Sequence, residues 1–298
     1  MNWPLFALVS YLLLFLAVSL GIAVVRVRKR GERPPVEFKF LRGPGETLRQ
    51  RIAKFDENFL TDLGKWALAP VVVTFVVSFT WFKLTPLKEW WHLYLWGAAT
   101  ILVFAFSVLW GMRRVWADFT RYRSDRLGYM GERFVGEKLN SLIRDGYWFF
   151  HDIPAEKGER KFNLDHVVVG PTGLWLIETK TRRKGRAREG FEEHVVKFDG
   201  RQLIWPWGED SHGLKQTEAE CRWLKEWVER RTGIKTEPRG ILTLPGWMVK
   251  EQTKADIRVL NPKNIPSAIK GRGEQVLTVQ QVDLIARQLD LVCRDVES

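Results

Sequence analysis

Long apolar runs fill the first third of the chain, and a finer, mixed pattern fills the rest. Residues Met1–Val25 carry no charged side chain. About 20 apolar residues cross a bilayer as a helix, so Leu5–Val25 predicts a first membrane span. The rival reading, a signal peptide, needs a basic start and a small-residue cleavage site. Neither is evident here. Trp66–Phe82 is a second uncharged run, holding Pro70 and edged by Lys65 and Lys83, whose long stems can lengthen it. Trp90–Met112 is a third, entered through Trp and Tyr as at a membrane interface, with His92 at headgroup level. Between the first two runs, Arg26–Gly45 carries Pro34, Pro35 and Pro44 and reads as a linker. Glu46–Leu63 places Leu48, Ile52, Phe55, Phe59 and Leu63 at helical spacing. It predicts an amphipathic helix, lying on the membrane surface or against the globular part.

Beyond the third run the period changes. Val115–Leu127 is basic and aromatic and predicts a helix leaving the membrane. Gly131–Leu142 continues as a helix with Phe134, Val135, Leu139 and Leu142 inward. Tyr147–Ile153 predicts a strand, Phe162–Lys180 a hairpin, and Glu192–Trp207 a second hairpin turning at Gly200. Gly213–Arg231 is a helix with Leu214, Cys221, Leu224, Trp227 and Val228 on its apolar face. Gly240–Leu244 and Asp256–Leu260 are short strands. Val279–Leu291 closes the chain as a helix through Val282, Ile285, Ala286 and Leu289. Alternating strands and helices predict an α/β domain with a mixed central sheet.

Charge orients this arrangement. Arg26, Arg28, Lys29, Arg30 and Arg33 follow the first run at once, and Arg113, Arg114, Arg121 and Arg123 follow the third. The loop between the second and third runs holds only Lys83 and Lys88. Basic residues mark the cytoplasmic side. The pattern therefore predicts three spans in the cell membrane, the amino terminus outside, and the globular domain cytoplasmic. The expected divisions are residues 1–27, the first span; 28–64, a cytoplasmic linker with the amphipathic helix; 65–114, a transmembrane hairpin; and 115–298, the cytoplasmic domain. The spans hold almost no ionisable groups, which argues against a transporter. The 298 residues carry 47 Lys plus Arg against 35 Asp plus Glu, a net +12 that suits a polyanionic partner. The only two cysteines, Cys221 and Cys293, have no metal-ligand spacing.

The chemistry concentrates in the hairpin FNLDHVVVGPTGLWLIETK, Phe162–Lys180. Its apolar arms flank a Gly170–Pro171–Thr172–Gly173 turn and are interrupted by Asp165, Glu178 and Lys180. Side chains alternate faces along a strand, so Glu178 and Lys180 point the same way. If Gly170 faces Gly173, Asp165 falls opposite Glu178, and a bulge would re-aim it. Two carboxylates about 5 Å apart repel, which calls for a cation between them. Lys180 supplies part of that charge, and a hard ion such as Mg²⁺ supplies more. His166 then faces away from Asp165, behind the site.

Asp, a strand, a turn and Glu-x-Lys resemble the core of the PD-(D/E)xK nucleases. Gly131-x4-Gly136-Glu137, His151-Asp152, Asn163-x-Asp165-His166-Val167, Gly170-Pro171-x-Gly173 and Ile177-Glu178-x-Lys180 together resemble the nuclease-related domain, NERD, over roughly Gly128–Ile241. That resemblance implies a restriction-endonuclease-like mixed sheet flanked by helices. It implies a metal-dependent nuclease acting on nucleic acid, DNA foremost, with Mg²⁺ or Mn²⁺. Asp165, Glu178 and the Thr179 carbonyl are the implied metal ligands, Lys180 holds the attacking water or the developing charge, and Gln216 heads the following helix beside the metal. A helix acid completes the metal shell; Glu137 matches its place, with Glu132 as substitute. The basic run Arg182, Arg183, Lys184, Arg186 and Arg188 suits either anionic lipid or a phosphate backbone. The competing function is a membrane-tethered nucleic-acid- or protein-binding module without turnover.

Overall fold

The computed structural model describes residues 39–84, 89–253, 255–271 and 274–297, together with Gly21. The span predicted over Leu5–Val25 lies outside the described residues, apart from Gly21, which is helical. The chain forms two compact units. One is built on Asp56–Ala117, the other on Lys39–Phe55 with Asp118–Val296.

Strand β1, Lys39–Leu41, leads into two long helices, α1, Glu46–Leu84, and α2, Trp90–Leu139. The sequence pattern predicts a break after Leu63 in the first stretch, and after Met112 and Leu127 in the second. Gly64, Gly128 and Gly131 keep right-handed backbone. A helix ends at glycine when that residue turns left-handed; mid-helix, a right-handed glycine costs only about 1 kcal/mol against alanine. Pro70 likewise sits inside α1. Both helices are long and apolar enough to cross a membrane, with windows of mean hydropathy 1.6 and 1.9 that are almost wholly exposed. Within the first unit, Ser78 and Thr100 hydroxyls meet at 2.8 Å, and the Trp96 indole donates to the Ser78 carbonyl.

The second unit is mixed α/β. Its chain order is β2 (Trp148–Lys157), β3 (Arg160–Gly170), β4 (Gly173–Thr179), β5 (Val195–Phe198), β6 (Leu203–Trp205), β7 (Gly208–Asp210), α3 (His212–Thr232), β8 (Arg239–Thr243), β9 (Met248–Glu251), β10 (Arg258–Leu260), α4 (Ile265–Lys270), α5 (Val279–Cys293) and β11 (Arg294–Glu297). The main sheet runs β10-β8-β4-β3-β2. It is antiparallel from β2 to β4 and parallel from β4 to β10. The parallel step from β4 to β8 spans a long connection that includes α3, as parallel pairing requires.

Two hydrophobic cores cover the two faces of this sheet. Val167, Val169, Leu174 and Leu176 pack with Trp223, Leu224 and Val228 of α3 and Ile285 and Leu289 of α5. On the other face, Val168, Trp175 and Ile177 pack with Val135 and Leu139 of α2 and Ile265 and Ile269 around α4. Alternate residues of β4 thus enter opposite cores, which fixes its register strongly. A second sheet, β7-β6-β5-β9, closes over Trp205, Trp247 and Phe198. Its β5–β6 hairpin turns at Gly200, whose φ of 97° only glycine adopts freely.

Three strands lack an apolar alternation that would announce them. β9 alternates exposed and half-buried positions, with no fully buried residue. β1 lies in the proline-rich linker and pairs with β11. An Arg42–Asp295 ion pair at 2.6 Å stands beside that pairing, so polar contacts hold this edge.

Candidate active site

The β3–β4 hairpin has the register the turn predicts. Gly170 faces Gly173, and the ladder runs to His166 opposite Ile177. The next rung brings Asp165 beside Glu178, where the Thr179 amide donates to Asp165 Oδ2 at 2.8 Å. Glu178 is almost wholly buried at 1% exposure, and its Oε1 lies 2.6 Å from Lys180 Nζ. Lys180 Nζ also donates to Gln216 Oε1 at 2.9 Å, and Gln216 Nε2 donates to Glu220 Oε1 at 2.8 Å. Four of the five side chains the sequence singles out, Asp165, Glu178, Lys180 and Gln216, therefore meet at the carboxyl end of β4 and the start of α3.

Glu137 does not join them. Its side chain is exposed and pairs with Arg133 at 3.6 Å. Glu132 is the buried acid of that helix. Helical period explains the exchange. Glu132, Val135, Leu139 and Leu142 stand three, four and three residues apart on one stripe, and the last three are fully buried. Glu137 lies well round the helix from that stripe. The same reasoning finds Glu220, four residues after Gln216 and four before buried Leu224.

The electrostatics of the cluster are those of too many acids for one lysine. Burial, then the Glu178 and Glu132 charges, pushes Asp165 well above the ordinary aspartate range. Burial and the charges of Asp152 and Glu178 push Glu132 up to about 8. Burial and Glu178 push Glu220 up to about 9. Burial works against the Lys180 charge, yet Glu178 and Asp165 outweigh it and hold Lys180 above its usual value. Asp165, Glu132 and Glu220 are thus biased toward their protonated forms, first by burial and then by acidic neighbours.

Asp152 serves a different purpose. Its backbone is left-handed, with φ of 49°. The pleat slips here, so that Ile153 and Leu164 enter the same core as Val167 and Leu176. Its carboxylate accepts from Arg42 (2.8 Å), the Thr47 amide and hydroxyl (both 2.7 Å) and Asn163 (2.7 Å). It thereby clamps the Lys39–Phe55 segment onto the sheet. His151 and His166 meet through their Nδ1 atoms at 2.8 Å, both buried. Burial lowers His151 to about 4 and, with His151 beside it, drives His166 lower than an ordinary imidazole. This neutral pair lies behind the acid cluster.

Residues 127–245 match the family model described as the nuclease-related domain. This segment is a NERD domain. It takes in the end of α2, the β2–β4 strands, α3 and β8, and so every residue of the acid cluster. No curated protein and no solved structure matches the chain.

Beside the cluster, the NERD domain carries its basic run between β4 and β5. Arg182 pairs with Asp210 and stacks over Trp205, while Arg188 donates to the Pro206 carbonyl and covers Phe191. Arg183, Lys184 and Arg186 are exposed.

Among the described residues, no three carboxylate, imidazole or thiol groups stand ready to grip a metal ion. The donor chemistry nevertheless suits a hard divalent cation. Glu178 Oε2 and Glu220 Oε2 are buried with no donor from another residue, and only a proton held on Glu220 joins the two carboxyls. An unpartnered buried carboxylate oxygen is costly, and an oxygen-only donor set is what Mg²⁺ and Mn²⁺ prefer.

Proposed function

We propose that the NERD domain is a metal-dependent nuclease that hydrolyses phosphodiester bonds. The observation that supports this most is the crowding of Asp165, Glu178, Glu132 and Glu220 around a single lysine, with two carboxylate oxygens that receive no donor from another residue. Asp165, Glu178 and the Thr179 carbonyl would hold Mg²⁺ or Mn²⁺, and Glu132 takes the helix-acid role expected of Glu137. Once bound, the ion would polarise the phosphate and make water acidic enough to yield hydroxide near neutral pH.

The chain's own residues do the rest. Lys180 is held protonated and aimed by Glu178 and Gln216, so it places a fixed positive charge where a pentavalent phosphate gathers negative charge. Gln216 is itself fixed through Glu220, so its amide orients Lys180 and can meet a phosphate oxygen. Glu132 and Glu220 hold protons that they would give up to admit a divalent cation, which would keep the charge of the cluster balanced in either state. The exposed part of the basic run offers contacts to the sugar-phosphate backbone, which fix position without reading sequence.

The membrane reading rests on the two exposed apolar helices together with the uncharged amino-terminal run. With three spans, the basic flanks put the amino terminus outside and a restriction-endonuclease-like domain, from about residue 115, in the cytoplasm. The Lys39–Phe55 strap belongs to the same compact unit as that domain, although the predicted hairpin separates the two in the sequence.

One observation favours the competing reading of a binder without turnover. Lys180 already neutralises Glu178 at 2.6 Å, as in a structural ion pair. Asp165→Asn separates the two readings. A nuclease loses Mg²⁺- or Mn²⁺-dependent cleavage of labelled DNA and RNA while keeping its affinity for them. Cleavage unaffected by the substitution, or none by the wild-type chain on any form of nucleic acid, transfers the weight to the binder.

A further inference from the structure

A second cleft, of about 1030 Å³, opens between the outer end of the β2–β3 hairpin, the end of α3 and the end of α5. Its aromatic floor is mostly buried, Trp223 and Trp227 being 7% exposed and Phe162 half-buried, and its mouth is basic. Trp223 and Trp227 stack with ring centres 6.1 Å apart, and Phe162 meets Trp223 edge-on at 5.6 Å. Lys161, Arg230 and Arg231 stand exposed at the rim. Arg231 lies over the Trp227 ring, 5.9 Å from its centre. None of these three cations forms an ion pair among the described residues, whereas Arg42, on the same wall, is fully taken up by Asp152 and Asp295.

We infer that this cleft binds a nucleotide unit of a single-stranded nucleic acid, with the phosphates at Lys161, Arg230 and Arg231 and a base at half-buried Phe162 and the open edges of the two Trp rings. Aromatic surfaces beside unpaired cations are the combination that holds single strands without reading sequence. The volume is at the upper end of what small-molecule pockets offer, enough for a nucleotide.

The cleft also lies in line with the acid cluster. Gln216, Glu220, Trp223, Trp227 and Arg231 follow one stripe of α3, at steps of four, three, four and four residues. At 1.5 Å per residue, Glu220 and Trp227 are separated by roughly 10 Å along the helix. That stripe is the buried face of α3, so the helix holds the cleft and the acid cluster in fixed relation, and a strand seated in the cleft builds on the nuclease reading above. Binding is accordingly tested with metal removed, where cleavage cannot intervene.

The test uses the full-length chain in detergent with EDTA and a short labelled single-stranded oligonucleotide, followed by anisotropy across a salt series. The Arg230→Ala/Arg231→Ala variant changes only exposed side chains, so the fold survives. It should weaken binding about tenfold and reduce the salt slope by about 1.4, at about 0.7 per lost single-strand phosphate contact. Lys161→Glu, on the opposite wall, should weaken it again. A loss below about twofold in both variants overturns the assignment. So does competition by free dTMP or AMP as strong as by the oligonucleotide, which makes this a mononucleotide pocket. A loss confined to phosphatidylserine vesicles, with oligonucleotide binding intact, gives the rim to lipid and also overturns it. Binding through these cations by a chain that never cleaves leaves the cleft standing and removes the nuclease. Cleavage with unchanged kcat/KM and unchanged binding in the variant does the reverse.

Discussion

Glu220→Gln isolates the electrostatic stress of the acid cluster. Glu220 is 5% exposed, its Oε1 accepts from Gln216, and its Oε2 receives no donor from another residue. Burial and Glu178 raise its pKa from an ordinary 4.5 to about 9. Between those values the folded chain holds a proton that the unfolded chain has lost. Stability from this group is therefore complete below pH 4.5, declines as pH rises, and is gone above about pH 9. The shift of about 4.5 units, at 1.36 kcal/mol each, sets a ceiling of about 6 kcal/mol. Asp165 and Glu132 share the same repulsion, so the measured effect falls below it. A glutamine keeps the acceptor for Gln216, offers Glu178 a donor as the protonated acid does, and cannot ionise. The variant should match wild type at pH 5 and exceed it progressively toward pH 9. At about 2–4 °C per kcal/mol for a domain of this size, the ceiling corresponds to roughly 12–24 °C in Tm. Thermal unfolding of both full-length proteins with chelator at pH 5, 7 and 9 measures this. A Tm difference independent of pH would refute the buried, proton-holding cluster.

Other outcomes follow from the same geometry. Asp152→Ala strips four donors of their acceptor and leaves Arg42 without its buried partner, so it should destabilise the domain by about 3–5 kcal/mol. Limited proteolysis should then release Lys39–Phe55 from the sheet before the core unfolds. Gly170→Ala should cost about 1–3 kcal/mol in a denaturant titration, because an added Cβ would lie 2.1 Å from the Tyr147 ring, whose hydroxyl is tied to Thr172. Mn²⁺ should raise the Tm more at pH 9 than at pH 6, since Glu132 and Glu220 titrate near 8 and 9 and must release protons as the ion enters. Equal stabilisation at both pH values would argue against those acids facing the ion.

The hairpin was legible because its signals are local. A Gly-Pro-Thr-Gly turn fixes the Gly170–Gly173 rung, and strict alternation then carries Asp165, Glu178 and Lys180 to one end. α3 and α5 were equally plain, since each has a strong apolar stripe bounded by breakers. The helix acid was less so, because family spacing pointed to Glu137 while the apolar stripe ran through Glu132. Phase along the helix decides burial, and motif spacing does not. Continuity of α1 and α2 was hidden by glycines whose backbone stays right-handed, a property that depends on the neighbouring turns. The clamp at Asp152 joins residues more than a hundred positions apart through hydrogen bonds alone, and such contacts leave no periodic trace.

On the nuclease reading, the buried carboxyl groups around Glu178 exchange their protons for a divalent cation that joins them. Titration of Mn²⁺ into the full-length chain, followed by the loss of free-ion EPR signal, tests this without any assumption about substrate. The account predicts uptake that strengthens from pH 6 to pH 9, releases protons, and disappears in Glu178→Gln. Uptake absent from wild type, or unchanged in that variant, would contradict it.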